Sequence, residues 1–184
     1  MTPEVLLEDV RAKIATLAEV RAPVIKRMAA EVYREAKHWP LAQRNRFCNQ
    51  LWQTRGNGEA ILAIYLYQRF TRSCGPCEFR LFERWIDRFV DNWGHCDGVS
   101  IYLLGATILN HPELSSELPE WASSPNPWKR RAAAASLVPA ARRGLQKPVI
   151  RKICTELQGD PDYLVRKARA WLLREAAKGS AIRK

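Results

Sequence analysis

The sequence predicts an all-α fold of stacked antiparallel helix pairs, on three observations. Apolar residues recur with helical periodicity, and no stretch alternates apolar and polar residues long enough for a half-buried strand. Proline and glycine breaks cut the chain into segments of about one helix each, the rhythm of helix hairpins. A stretch of the last third recurs after 36 residues.

Taken in chain order, Thr2 followed by Pro3 is a good helix start, with threonine as cap and proline at the first helical position. Breaks follow at Ala22-Pro23, Trp39-Pro40, Gly56-Asn57-Gly58, Cys74-Gly75-Pro76, His111-Pro112, Ser123 to Pro127, Gly144 and Gly159-Asp160-Pro161. The 36-residue shift lays Ser124-Pro125-Asn126-Pro127-Trp128-Lys129-Arg130-Arg131-Ala132 on Asp160-Pro161-Asp162-Tyr163-Leu164-Val165-Arg166-Lys167-Ala168. The second copy, Asp160-Pro161 running into Val165-Arg166 and then alanines and leucines, looks like the second helix of a HEAT repeat. Such repeats cannot bury their apolar faces alone, so the expectation is a HEAT-like helical repeat solenoid with one concave face open to a partner. Arg130 falls on Arg166, where HEAT repeats commonly keep a structural arginine. Arg131 and Lys167 are then surplus cations, better suited to phosphate contact. With 184 residues, 47% of them hydrophobic, the chain reads as one domain over 1–184.

Charge narrows the partner. Residues 1–126 hold 15 Lys/Arg and 15 Asp/Glu, whereas residues 127–184 hold 15 Lys/Arg against 4 Asp/Glu, so the whole net charge of +11 lies in the last third. Cations gathered in this way are the footprint of a polyanion, because each one placed beside a phosphate releases condensed counterions. A solubilising surface or an anionic membrane contact is the plainer alternative. No apolar run approaches the roughly 20 residues of a bilayer span, and the start Met1-Thr2-Pro3-Glu4 lacks a signal-peptide pattern, so no membrane association and a cytoplasmic location are expected. Five cysteines, an odd number, fit reduced thiols better than a disulfide framework.

Two stretches could carry chemistry. In Phe82 to Asp97, the densest aromatic and acidic segment, Trp93 and Asp97 stand at i and i+4 and share a face if helical. An aromatic face beside a carboxylate suits a cationic ligand or a developing positive charge. Trp171 lies in the basic helix Val165 to Glu175, with Lys167 four before it and Arg174 three after, a pattern as compatible with nucleic acid as with core packing. Trp39, Trp52, Trp85 and Trp121 have no polar constellation around them and are expected in the core. Cys74-Gly75-Pro76-Cys77 lacks the strand-to-helix context of a redox motif. A zinc set from Cys74, Cys77, His95 and Cys96 is disfavoured by its adjacent His-Cys, so a tight loop with free thiols is expected and no metal. His38 and His111 read as loop residues beside proline breaks.

From residue 80 to 178 the chain resembles the AlkD-type family of bacterial DNA alkylation-repair glycosylases. The resemblance runs through Trp93-Gly94-His95-Cys96-Asp97, Leu109-Asn110-His111-Pro112-Glu113-Leu114, Trp121, Trp128-Lys129-Arg130-Arg131-Ala132-Ala133, and Arg166-Lys167-Ala168 followed by Trp171-Leu172-Leu173-Arg174-Glu175, in order and with nearly the family's spacing. It implies a concave DNA-binding face and hydrolysis of the N-glycosidic bond of N3- or N7-alkylated purines in double-stranded DNA. Trp93 and Trp171 match the aromatics that flank the lesion, Asp97 the catalytic carboxylate, and Arg131 the arginine that supports DNA binding. Lys167, Arg130, Arg166, Trp128 and Arg174 complete the expected DNA-binding set. No organic cofactor or metal is implied, and a monomer is expected. The N-terminal repeats match only loosely; Tyr33, His38 and Trp39 lie in the right region without a motif.

The same residues bear on that chemistry without the family name. A purine alkylated at N3 or N7 is cationic and already a good leaving group, so no strong general acid is required, and a carboxylate can stabilise the oxocarbenium-like sugar. One alternative is a non-catalytic DNA-structure binder on the same fold, whose mark would be loss of the aromatic or carboxylate positions. Another is a protein-interaction scaffold, which predicts a mixed or acidic concave face.

Overall fold

The computed structural model describes residues 2–181, and all regular structure among them is helical. The chain divides between Phe70 and Thr71 into two compact units, each with its own core, inside the span expected as one domain.

The first unit holds α1 (Pro3–Ala15), α2 (Ala22–Ala36), α3 (Leu41–Gln53) and α4 (Asn57–Gln68). Thr2 caps α1 by accepting from the Val5 N–H, as the Thr-Pro start predicts. Helix α4 buries Ala60, Leu62, Ala63, Ile64, Leu66 and Tyr67, too many residues for one stripe, so it must be covered on several sides. Helices α1, α2 and α3 all pack on it. Trp52 lies in this core, and Trp39 is half-buried, with its ring 5.3 Å from that of Phe47.

In the second unit a short 3₁₀ turn (Thr71–Ser73) leads to α5 (Pro76–Arg88), whose first turn is closed by the Gly75 N–H donating to Glu78 Oε2 at 3.0 Å. The Cys74-Gly75-Pro76-Cys77 stretch is thus a helix start, with Cys74 buried and Cys77 exposed. Phe79, Leu81, Phe82, Trp85 and Ile86 form the buried face of α5, and Trp121 is buried against Phe79. Next come α6 (Trp93–Asp97), a π-helical segment Gly98–Leu104 and α7 (Gly105–Asn110), in direct succession. A 3₁₀ turn (Pro112–Glu117) connects to α8 (Leu118–Ala122), α9 (Pro127–Ala135), α10 (Val138–Arg142), α11 (Lys147–Glu156) and α12 (Tyr163–Ala181).

Helix α9 is the hub of this unit. Its run Ala132-Ala133-Ala134-Ala135 is fully buried, and with only methyl groups on every side α5, α6, α8, α11 and α12 can all approach it. Two glycines mark further close approaches. A Cβ on Gly105 would stand 2.8 Å from Pro139 Cγ, and one on Gly179 would stand 2.0 Å from the Ala141 carbonyl oxygen. The breaks read at Gly144 and Gly159 are left-handed turns, with φ of 67° and 77°.

The 36-residue repeat reappears as repeated geometry. Arg130 Nη1 donates to the carbonyls of Ser124 and Pro125, and Arg166 Nη1 donates to those of Asp160 and Pro161, six and five residues back in both copies. Each arginine closes the loop before its own helix, the structural role that a HEAT repeat gives it. Arg130 is further held by Asp160, Nε to Oδ2 at 2.7 Å and Nη2 to Oδ1 at 3.2 Å. Burial of Asp160 opposes its ionisation, but the hydrogen bonds from Arg130 and the Asp162 N–H outweigh it and hold the carboxyl below its ordinary range. The result is an all-α, HEAT-like fold.

Candidate functional site

Asp97 is the last residue of α6, a helix started by Asn92, whose Oδ1 accepts from the His95 N–H at 2.9 Å. Trp93 opens the same helix one turn earlier, so the two share a face. Trp93 is 61% exposed, where an ordinary core tryptophan would be covered. Between them, burial pulls the His95 imidazole below its ordinary range against the opposing pull of Asp91. Burial, with Asp97 alongside, pushes the Cys96 thiol up to about 12. Cys96 instead donates to the Trp128 carbonyl at 3.4 Å, which pins α6 to α9. Neither neighbour is placed as a nucleophile.

Arg131 reaches Asp97 from α9. Its Nε donates to Oδ1 at 2.8 Å and its Nη2 to Oδ2 at 2.7 Å, a bidentate pair, while Nη1 donates to the Leu164 carbonyl at 2.5 Å. The arginine side chain is 8% exposed and the aspartate 17%. Arg131 therefore lies behind Asp97 as a buried prop, and the carboxylate keeps an open edge. The sequence expects Arg131 at phosphate; here its guanidinium is occupied by Asp97 and Leu164, which joins α6, α9 and the start of α12 at one point.

Helix α12 carries the remaining candidates. At 100° per residue, Tyr163, Lys167, Trp171 and Arg174 fall within an arc of about 80°. Val165, Ala168, Leu172 and Glu175 form the opposite, buried side. Lys167 and Arg174 are exposed, and no ion pair engages them among the described residues; Trp171 is half-buried at the edge of the stripe. Tyr163 was not expected at the site. It is 61% exposed, with Lys167 Nζ 5.2 Å and Arg166 Cζ 5.9 Å from its ring centre. Its spacing of four before Lys167 and eight before Trp171 was the available signal.

The structure thus joins Asp97 and Arg131 directly, with Trp93 one turn away. Trp171 sits two turns beyond Leu164 on α12, which packs against α9. Trp128 is half-buried at the start of α9, its N–H held by Asn126. Other basic residues are engaged in the scaffold. Lys129 pairs with Glu83 and Asp87, Arg142 with Glu175, and Arg169 with the Cys154 carbonyl.

No described helix is long and apolar enough to cross a membrane. No curated protein matches the chain. A family model described as DNA alkylation repair enzyme matches residues 15–181. That match spans the four helices of the first unit in part or whole and all the site residues above, and the chain belongs to the DNA alkylation repair enzyme family.

Proposed function

We propose that the protein is a DNA glycosylase that removes N3- or N7-alkylated purines from duplex DNA. The observation that carries this reading is the pairing of Asp97 with a buried arginine behind it and an exposed tryptophan one turn away.

In the reaction, the bond between the sugar C1′ and the purine nitrogen breaks, and its electron pair neutralises the cationic base. Positive charge moves to the sugar, where Asp97 stabilises it. Water then adds to C1′, and its proton passes to Asp97 or to solvent. Arg131 fixes the orientation of the carboxylate in advance, so little reorganisation is needed at the moment of charge development. Trp93 and Trp171 offer π faces to the cationic nucleotide. Lys167 and Arg174 serve the phosphates, and Tyr163 lengthens that contact along α12. Arg131 belongs to the carboxylate rather than to a phosphate, and Arg130 and Arg166 act on DNA only through the loops that they close.

The experiment is a single-turnover assay on duplex DNA carrying one 7-methylguanine, with Asp97→Asn alongside. Release by wild type and loss in the variant is the expected result. Tight duplex binding with no release by wild type would instead support a non-catalytic DNA-structure binder.

A further inference from the structure

We infer that Tyr102 is a substrate-positioning residue of the Asp97 site, its ring forming a wall on the side of the carboxylate away from Trp93. This inference rests on the glycosylase reading above. Its geometric basis is the π-helical segment, which begins immediately after Asp97 and in which the Gly105 N–H donates to the Ser100 carbonyl five residues back. In a continuous α-helix a residue five places on is turned by about 140° and lies well away from Asp97. In a π turn, residues five apart follow one another as residues four apart do in an α-helix. Trp93 is therefore one α turn before Asp97, and Tyr102 one π turn after it.

The exposure pattern agrees with that rotation. Gly98, Val99, Ser100, Leu103 and Leu104 are buried, whereas Tyr102 is 44% exposed, as Trp93 is on the preceding turn. The intervening Ile101 is half-buried, Gly94 is exposed without a side chain, and the Asp97 side chain keeps 17% of its surface exposed. A carboxylate between two exposed aromatics is matched to a flat or cationic group. The deoxyribose cation sits against Asp97, and Tyr102 confines it by its ring face, by cation–π attraction rather than by its hydroxyl.

Binding and excision test this together, with wild type, Tyr102→Ala and Tyr102→Phe. Binding is measured to duplexes containing either a cationic pyrrolidine analogue of the abasic sugar or the neutral tetrahydrofuran analogue. Excision is measured on 7-methylguanine under single turnover. Tyr102→Ala should reduce the preference for the cationic duplex roughly three- to tenfold and slow excision similarly, with an unchanged melting curve. Tyr102→Phe should keep both within about twofold of wild type, as a ring-face contact requires. An alanine variant with undiminished cation preference overturns the inference, as does a Phe variant as impaired as Ala, which would transfer the role to the hydroxyl. A wild type that prefers the cationic duplex but excises nothing defeats the glycosylase reading alone; a wild type with no such preference defeats Tyr102.

Discussion

Asp97→Asn removes one negative charge while keeping the side-chain shape. A sugar cation about 4 Å from the carboxylate is stabilised by about 4 kcal/mol at an effective dielectric near 20, and Arg131, about 8 Å away on the far side, opposes with about 2. Asparagine deletes the first contribution and leaves the second. The barrier therefore rises by about 4 kcal/mol, roughly a thousandfold in rate. The substitution also leaves a guanidinium that is 8% exposed facing an amide instead of its counter-charge. Loss of one partner from a buried pair costs about 3–5 kcal/mol, and the partial exposure of Asp97 puts the expectation near about 3, or a fall in Tm of roughly 6–12 °C. The assay separates the two effects by measuring single-turnover excision well below both melting midpoints, beside binding to undamaged duplex. Binding should stay nearly intact, since the charge is needed when the sugar becomes cationic and hardly before. A folded variant that loses less than tenfold in excision would refute the electrostatic role of Asp97.

Three further outcomes follow from the same geometry. Lys167→Ala combined with Arg174→Ala should flatten the slope of log K against log salt by about 1 to 2 in duplex binding, and an unchanged slope would place the DNA elsewhere. Trp85→Ala should destabilise the fold by about 3–5 kcal/mol, whereas Trp93→Ala should melt close to wild type yet excise more slowly, with Trp93→Phe partly restored; a severe melting defect at Trp93 would return it to the core. Hydrogen bonds from Lys178 and Arg142 lower the Glu175 carboxyl from 4.5 to about 2, so its stabilising effect is complete above pH 4.5 and fades as pH falls toward 2. Urea midpoints of wild type and Glu175→Gln should therefore differ at pH 6 and converge across that window; a gap constant with pH would contradict the assignment.

Much of the fold was legible because it is written in local chemistry. Prolines at Pro3, Pro23, Pro76 and Pro127 stand in the first turns of helices, where a missing N–H is harmless. The 36-residue register carries a real structural equivalence, since Arg130 and Arg166 make the same pair of carbonyl contacts. The tryptophans largely sorted by their neighbours: of those expected in the core Trp52, Trp85 and Trp121 are buried and Trp39 is half-buried, while Trp93 is exposed beside Asp97. The rest depended on tertiary placement. The partner of Arg131 lies 34 residues back on another helix, so the repeat register, which makes Arg130 structural and leaves Arg131 as a surplus cation, does not reveal that both turn into the scaffold. The π segment has no residue signature, because the choice between bonding four or five residues back is made by packing. Tyr163 stands at the first turn of α12 just after a Gly-Asp-Pro break, so its i, i+4 spacing to Lys167 counts as a site signal only once the helix is known to include it.

Cleavage of an N-glycosidic bond is tested by the identity of the product that is liberated. Duplex DNA with a single 7-methylguanine, incubated with excess protein and analysed by mass spectrometry, should yield the intact free base and a strand bearing one abasic site, well above the spontaneous rate. Strand and base both unchanged at protein concentrations that saturate the duplex would contradict the account.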